Sequence, residues 1–165
     1  MRVIGIDPGT AITGWGVVEL TNGVLKPIEF GCIKTTTEES KAERLKKIYD
    51  GLLAVIRALN PDAMAIEKIF FNINVKTALS VGQARGVCLL AAAVAGVPTY
   101  EYNTSEVKNV ITGYGRSAKG EVATRIKELL QLEVIPKPDD VTDALAIAAT
   151  HLAGVNECSI TMRKR

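Results

Sequence analysis

Four carboxylates sit where apolar segments end or begin. Asp7 closes Arg2-Val3-Ile4-Gly5-Ile6, Glu67 closes Ala63-Met64-Ala65-Ile66, and Asp140 and Asp143 open the apolar run Val141 to Gly154. A charge at the tip of a buried segment is costly without a partner. Any fold of this chain must therefore carry these tips to a polar edge, which favours a sheet whose strands end together beside a helix start. Like charges gathered at such an edge raise one another's pKa, and a divalent cation held by oxygen ligands relieves the conflict.

The local patterns supply the elements for that arrangement. Arg2 to Asp7, Thr13 to Leu20 and Val24 to Lys34 read as three strands, with Asn22-Gly23 as a hairpin turn. From Glu38 to Leu59 apolar residues recur at helical spacing until Asn60-Pro61 stops them. Ala63 to Glu67 and Thr99 to Tyr102 read as short strands, and Val75 to Ala95 as a long helix of small and aliphatic residues. A helix capped by Thr104 or Ser105 runs to Ile111, and the glycine-rich Gly113 to Gly120 reads as a mobile loop. Further helices span Glu121 to Leu130 and Val141 to Gly154, with Asp140 near the N-cap of the last. This succession of elements predicts an α/β fold: a mixed five-stranded sheet, part meander and part right-handed parallel crossovers, flanked by helices. One domain over residues 1–154 is expected, followed by a short basic tail, 155–165, that frays.

Several classes of function are set aside by composition. The apolar stretch Val87 to Val97 falls short of the ~20 residues of a membrane span, and the five residues after Met1 and before Asp7 leave no room for a secretory apolar region. A cytoplasmic protein without a membrane partner is expected. Cys32, Cys88 and Cys158 have no metal-ligand spacing and read as free thiols, and His151 is the only histidine, so a metal here must be held by oxygen. Net charge is only +2, but Lys68 to Lys127 holds eight basic residues against three acidic ones. A polyanion can dock along that segment, with Lys76, Arg85, Lys108, Arg116 and Lys119 as candidate contacts.

Period-two alternation puts Val3, Gly5 and Asp7 on one face of the first strand, and Pro8-Gly9-Thr10 turns the chain away beyond it. Glu67 ends its own strand in the same way, so the two carboxylates share a rim if those strands are neighbours. Asp140 and Asp143 stand three apart on one helix face and aim at the same place. Asp139, four before Asp143, competes for the role, with Asp140 preferred. Either helix aspartate alone is also what capping and the macrodipole favour. Two divalent ions ~3.5–4 Å apart in such a set can activate a water and stabilise the leaving oxygen of a phosphodiester.

Asp7-Pro8-Gly9-Thr10 with Thr13-Gly14-Trp15-Gly16, Ala65-Ile66-Glu67 with Phe70, Gly82-Gln83-Ala84-Arg85-Gly86, and Asp140-x-x-Asp143-Ala144-Leu145-Ala146 together resemble the RuvC family of bacterial Holliday-junction resolvases. The resemblance extends from Met1 to about Leu152. It implies a ribonuclease H-like fold, a homodimer, and metal binding by Asp7, Glu67, Asp140 and Asp143, with Mg²⁺ (Mn²⁺ as a substitute), two per site. It further implies paired symmetric nicks in a four-way DNA junction that leave 5′-phosphate and 3′-hydroxyl ends, in recombination and repair beside the branch-migration complex of RuvA and RuvB. Phe70 matches an aromatic that inserts at the junction, with Phe71 beside it as the alternative. Lys108 and Lys119 match lysines near the scissile phosphate.

Other readings stay open on the residues alone. Gly5-Ile6-Asp7-Pro8-Gly9-Thr10 is also similar to the phosphate-binding opening of sugar kinases and actin-like ATPases, but the chain is too short for their two domains. A ribonuclease H-like nuclease acting on another nucleic acid, and a junction-binding scaffold with purely structural acids, are the remaining alternatives. The small residues of the Val75 to Ala95 helix suit packing on the sheet or on a twofold mate.

Overall fold

The computed structural model describes residues 1–68 and 75–155. Strands β1 (Arg2–Asp7), β2 (Ile12–Thr21) and β3 (Val24–Lys34) form an antiparallel meander. Its hairpin is closed by Asn22 and Gly23, both at positive φ, the backbone that a tight two-residue turn between twisted strands requires. Strands β4 (Ala63–Glu67) and β5 (Thr99–Tyr102) add in parallel beyond β1, giving the order β3-β2-β1-β4-β5. This is the mixed five-stranded sheet expected from the sequence.

Helices α1 (Lys41–Leu59), α2 (Val75–Ala95), α3 (Thr104–Thr112), α4 (Lys119–Leu129) and α5 (Asp139–Val155) cover both faces. Strand alternation sorts the core into two layers. Ile4, Ile6, Met64 and Ile66 point to a cluster shared with α1 and α2, while Val3, Ala63 and Ala65 point to one shared with α3, α4 and α5. The second layer is unusually close. A Cβ added at Gly5 would collide with the Ala144 carbonyl, and one at Gly14 with the Asp140 carbonyl. Bare glycines on β1 and β2 thus let α5 lie against the strand backbones.

Four helix starts differ from the sequence reading. Helix α1 begins at Lys41, where Ser40 and Glu43 form a reciprocal capping box. The cap of α3 is Asn103, whose N–H is accepted by Glu106, rather than Thr104 or Ser105. Lys119 and Gly120 belong to α4 because Val122 and Ile126 are buried in the core and draw the helix start back over them. Asp139 and Asp140 form the first turn of α5 and are not its cap.

Helix α2 has the bounds read from the sequence, and its stretch Ala78–Ala95 meets the length and composition of a membrane span, with only 22% of it buried. Its inner side, Ala84, Cys88, Ala91 and Ala92, packs on the sheet layer. Its outer side leaves Leu79, Leu90 and Val94 at 65, 54 and 52% exposure.

Candidate active site

Asp7 and Glu67 end adjacent parallel strands one step beyond the Ile6–Ile66 pair, so both reach the same edge of the sheet. Their side chains share the face that α5 covers, as the alternation predicts. Asp7 is largely desolvated, and its carboxyl is pushed up from 3.8 to about 7, first by burial, then by the charges of Glu67, Asp143 and Asp140, with Lys119 opposing. Glu67 is held from two sides. Thr104, the first residue of α3, donates its hydroxyl to the carboxylate, and Arg85 Nε donates to the Glu67 carbonyl at 3.2 Å.

Helix α5 brings the other two acids. Asp140 rests on Gly14, the β2 residue paired with Asp7. Asp139 turns outward instead: Lys137 Nζ stands 2.5 Å from its Oδ1 and holds its carboxyl below the usual range. Lys119 Nζ lies 2.7 Å from Asp143 Oδ2. Burial works against the charge on Lys119, but Asp143, with Asp139 and Asp7 behind it, outweighs burial and raises its pKa.

A cavity of about 230 Å³ opens here, with Glu67, Asp143, Lys108 and Lys119 at its polar side and an apolar floor of Val107, Val122, Ala146 and Ile147. Lys108 and Lys119, expected near a phosphate, therefore face the same space as two of the acids. Arg85 does not point outward as an open contact for a polyanion: its guanidinium pairs with Glu101 at 2.5 Å and braces Glu67 from behind. Arg116 is exposed in the turn between α3 and α4 and does not line the cavity. Phe70 and Phe71 lie outside the described residues, as does the side chain of Lys76.

The donor set suits a hard divalent cation. Asp7, Glu67, Asp140 and Asp143 offer oxygen alone, and the Asp7 carboxyl, raised by burial and then by these like charges, is a group that a cation would relieve. Among the described residues no three acids yet stand at ligating distances from one another. Two of them already hold other partners, Asp143 with Lys119 and Glu67 with Thr104.

Sequence reasoning missed Thr104 as a partner of Glu67, because a hydroxyl at a helix start signals only a cap. It also missed the partly buried pair in which Tyr102 Oη lies 2.8 Å from His151 Nδ1, with the Tyr100 ring tilted against the imidazole at 4.4 Å between centroids.

Comparison with known proteins agrees with this geometry. The sequence profile of the family described as "Crossover junction endodeoxyribonuclease RuvC" matches residues 3–151. The chain is 50% identical to the RuvC endodeoxyribonuclease of Desulforamulus reducens over 92% of its own length and 93% of the relative's. It is also 50% identical to that of Brevibacillus brevis, over 92 and 91%. Among solved structures, Thermus thermophilus RuvC in complex with Holliday junction substrate superposes with a TM-score of 0.90 at 38% identity, covering 95% of this chain and 96% of that one. A strand edge of four convergent acids, a mixed sheet in the order β3-β2-β1-β4-β5 and matches across nearly the whole chain place this protein in the RuvC family of crossover junction endodeoxyribonucleases.

Proposed function

We infer that this chain resolves four-way DNA junctions by metal-dependent hydrolysis, cutting two opposed strands symmetrically to leave 5′-phosphate and 3′-hydroxyl ends. The observation that carries this reading is the convergence of Glu67, Asp140 and Asp143 on the desolvated Asp7 at one sheet edge, in a chain that matches a junction-bound relative over 95% of its length. Asp7, Glu67, Asp140 and Asp143 hold Mg²⁺, replaceable by Mn²⁺, with two ions per site. Bound there, the metal supplies the activated water and neutralises charge on the leaving oxygen.

The protein's own groups do the rest. Arg85 and Thr104 fix the Glu67 backbone and carboxylate, and Gly14 sets the depth of Asp140. Lys119 and Lys108, at the mouth of the cavity, stabilise negative charge developing on the scissile phosphate. Lys76 and Arg116 add backbone contacts, and Phe70 or Phe71 inserts at the branch point, where stacking on an unpaired base is worth about 1–3 kcal/mol.

Paired cuts need two sites related by a twofold axis. The exposed positions Leu79, Gln83, Gly86, Leu90 and Val94 of α2 recur at three- and four-residue steps and form one stripe, which supports a homodimer through this helix. The same reading places the enzyme in the cytoplasm beside the branch-migration complex of RuvA and RuvB.

The test is cleavage of an end-labelled four-way junction against linear duplex and an RNA–DNA hybrid, with Mg²⁺ or EDTA, for the native chain and Asp7→Asn. Paired nicks in the junction alone, abolished by EDTA or the substitution, support the reading. Cutting of the hybrid alone moves the function to ribonuclease H chemistry, and binding without cutting leaves a scaffold.

A further inference from the structure

A second recess, of about 120 Å³, opens on the other face of the same sheet edge. Thr10, from the turn after β1, forms one wall; Lys41, Arg44 and Leu45 of α1 and Leu79, Ser80 and Gln83 of α2 form the others. Helices α1 and α2 pack on the Ile4 and Ile6 face of the sheet, opposite the face that carries the acids. Thr10 is three residues from Asp7, so their Cα atoms are at most ~11 Å apart.

The recess is built by a run of hydrogen bonds. Thr10 Oγ1 and Ser80 Oγ share a bond of 2.8 Å. The buried Thr35 hydroxyl donates to the Thr10 carbonyl and accepts from Arg44 Nε at 2.8 Å. That bond fixes the plane of the guanidinium while leaving its terminal nitrogens unbonded among the described residues. The nearby acids of this region are engaged elsewhere: Glu39 with Lys47 and the Thr36 N–H, Glu43 with Ser40. Lys41 and Arg44 have no carboxylate partner among the described residues, and no acid lines the recess.

Two cations, two hydroxyls and an amide around a small space are donors for a compact oxyanion, and a guanidinium held in plane suits phosphate in particular. The recess is well below the ~300–1,000 Å³ of sites that enclose a whole small molecule, which excludes a nucleotide and leaves a single phosphate group. Successive phosphates of one strand advance ~3.4 Å along a duplex axis, so a strand crossing Asp7 offers a phosphate to Thr10 within about three nucleotides.

We propose that this recess is a non-catalytic phosphate clamp. Lys41 and Arg44, with Thr10 and Ser80, grip one backbone phosphate of the cut strand on the far side of the sheet edge from the acids. The clamp fixes the register of the strand over Asp7, as phosphate contacts do without reading sequence. This inference rests on the junction-cleaving function proposed above.

Binding of a four-way junction, measured in EDTA for the native chain, Lys41→Gln and Lys41→Gln/Arg44→Gln, tests it. Loss of one phosphate contact makes the slope of log K against log salt shallower by about 0.7–0.9. The double variant should therefore bind more weakly, with a deficit that shrinks about threefold between ~50 and ~200 mM salt. A neutral methylphosphonate placed singly at each phosphate near the nick should, at one position, weaken the native chain and leave the double variant unchanged. Lys41→Gln should show part of both effects, and removing a cation from the first turn of α1 favours that helix, so its loss cannot come from unfolding. An unchanged slope, or no position at which native and variant respond differently, overturns the clamp. So does competition by inorganic phosphate against the native chain alone without any methylphosphonate response, which would assign the recess to a free anion. Equal binding of duplex and junction would instead defeat the junction reading, while a position-specific methylphosphonate difference would still support the clamp.

Discussion

Lys119 Nζ stands 2.7 Å from Asp143 Oδ2, a bridge between the first residue of α4 and the second turn of α5. The lysine is 57% exposed and the aspartate 30%, and a pair so open to water contributes under about 1 kcal/mol. It holds one member of the acidic cluster neutralised yet is weak enough for a divalent ion to displace. The lysine released by that exchange remains beside the space where a phosphate would sit.

Lys119→Met should therefore separate metal binding from catalysis. Without its resident cation the cluster is more negative, so Mn²⁺ affinity, read by electron paramagnetic resonance, should rise. Junction cleavage should fall by about 10²-fold or more, the usual cost of removing a donor aimed at developing charge. A drop in Mn²⁺ affinity would show that Lys119 supports the metal site instead of competing with it.

The raised Asp7 carboxyl predicts how stability depends on pH when no metal is bound. The folded chain keeps a proton up to about pH 7 that the unfolded chain releases near 3.8, so stability falls as pH rises across that window. At 1.36 kcal/mol for each pH unit the effect is on the order of 4 kcal/mol. In EDTA, Asp7→Asn should gain on the native chain steadily from pH 4 to 7 in urea denaturation, and Mg²⁺ should close the gap. Parallel curves for the two proteins would mean that Asp7 is not the group responsible.

Gly14→Ala tests whether the depth of α5 sets the site. The new methyl would meet the Asp140 backbone, and overpacking of this kind costs about 1–3 kcal/mol. The Tm should drop, and cleavage should drop much further because Asp140 is pushed from Asp7. Full activity at a lowered Tm would detach Asp140 from the chemistry.

How far the sequence foretells this site depends on whether each feature is local. Alternation along Arg2 to Asp7 and Ala63 to Glu67 fixes which way each acid faces within its own strand, while their sharing one rim depends on the pairing of β1 with β4. The preference for Asp140 over Asp139 is reached only in outline, because the contact of Asp140 with Gly14 and the pairing of Asp139 with Lys137 are set in three dimensions. Glycines made the stretch before Glu121 read as loop, whereas burial of Val122 starts α4 at Lys119. The partner that turns Arg85 inward, Glu101, sits on β5, and nothing in the spacing of the two reveals it. Lys41 and Arg44 lie outside the basic segment and become a site only when α1 folds against the turn after β1.

Arg85→Ala follows from that inward turn. Its Glu101 partner is 42% exposed, which discounts the ion pair, but the bond to the Glu67 carbonyl is lost as well; together these should cost about 1–2 kcal/mol. Cleavage should fall more than junction binding because Glu67 loosens. Weakened binding at unchanged stability would return Arg85 to the DNA.

Leu90→Glu places a charge in the middle of the exposed α2 stripe, where Leu79 and Val94 lie above and below it. As the residue is already open to water in the single chain, the folded subunit should keep its Tm within about ±0.5 kcal/mol of equivalent stability. Two copies facing each other through this stripe would bury the new carboxylates together, so sedimentation should report a monomer. Each monomer retains a complete set of Asp7, Glu67, Asp140 and Asp143 and can cut one strand per encounter, but the second cut is no longer tied to the first. On a supercoiled plasmid that extrudes a cruciform, the native chain should give linear product in one binding event, whereas the variant should accumulate nicked circles because nicking relaxes the supercoil and reabsorbs the junction before a second molecule arrives. A variant that stays dimeric and still yields linear DNA would place the twofold interface elsewhere on the molecule.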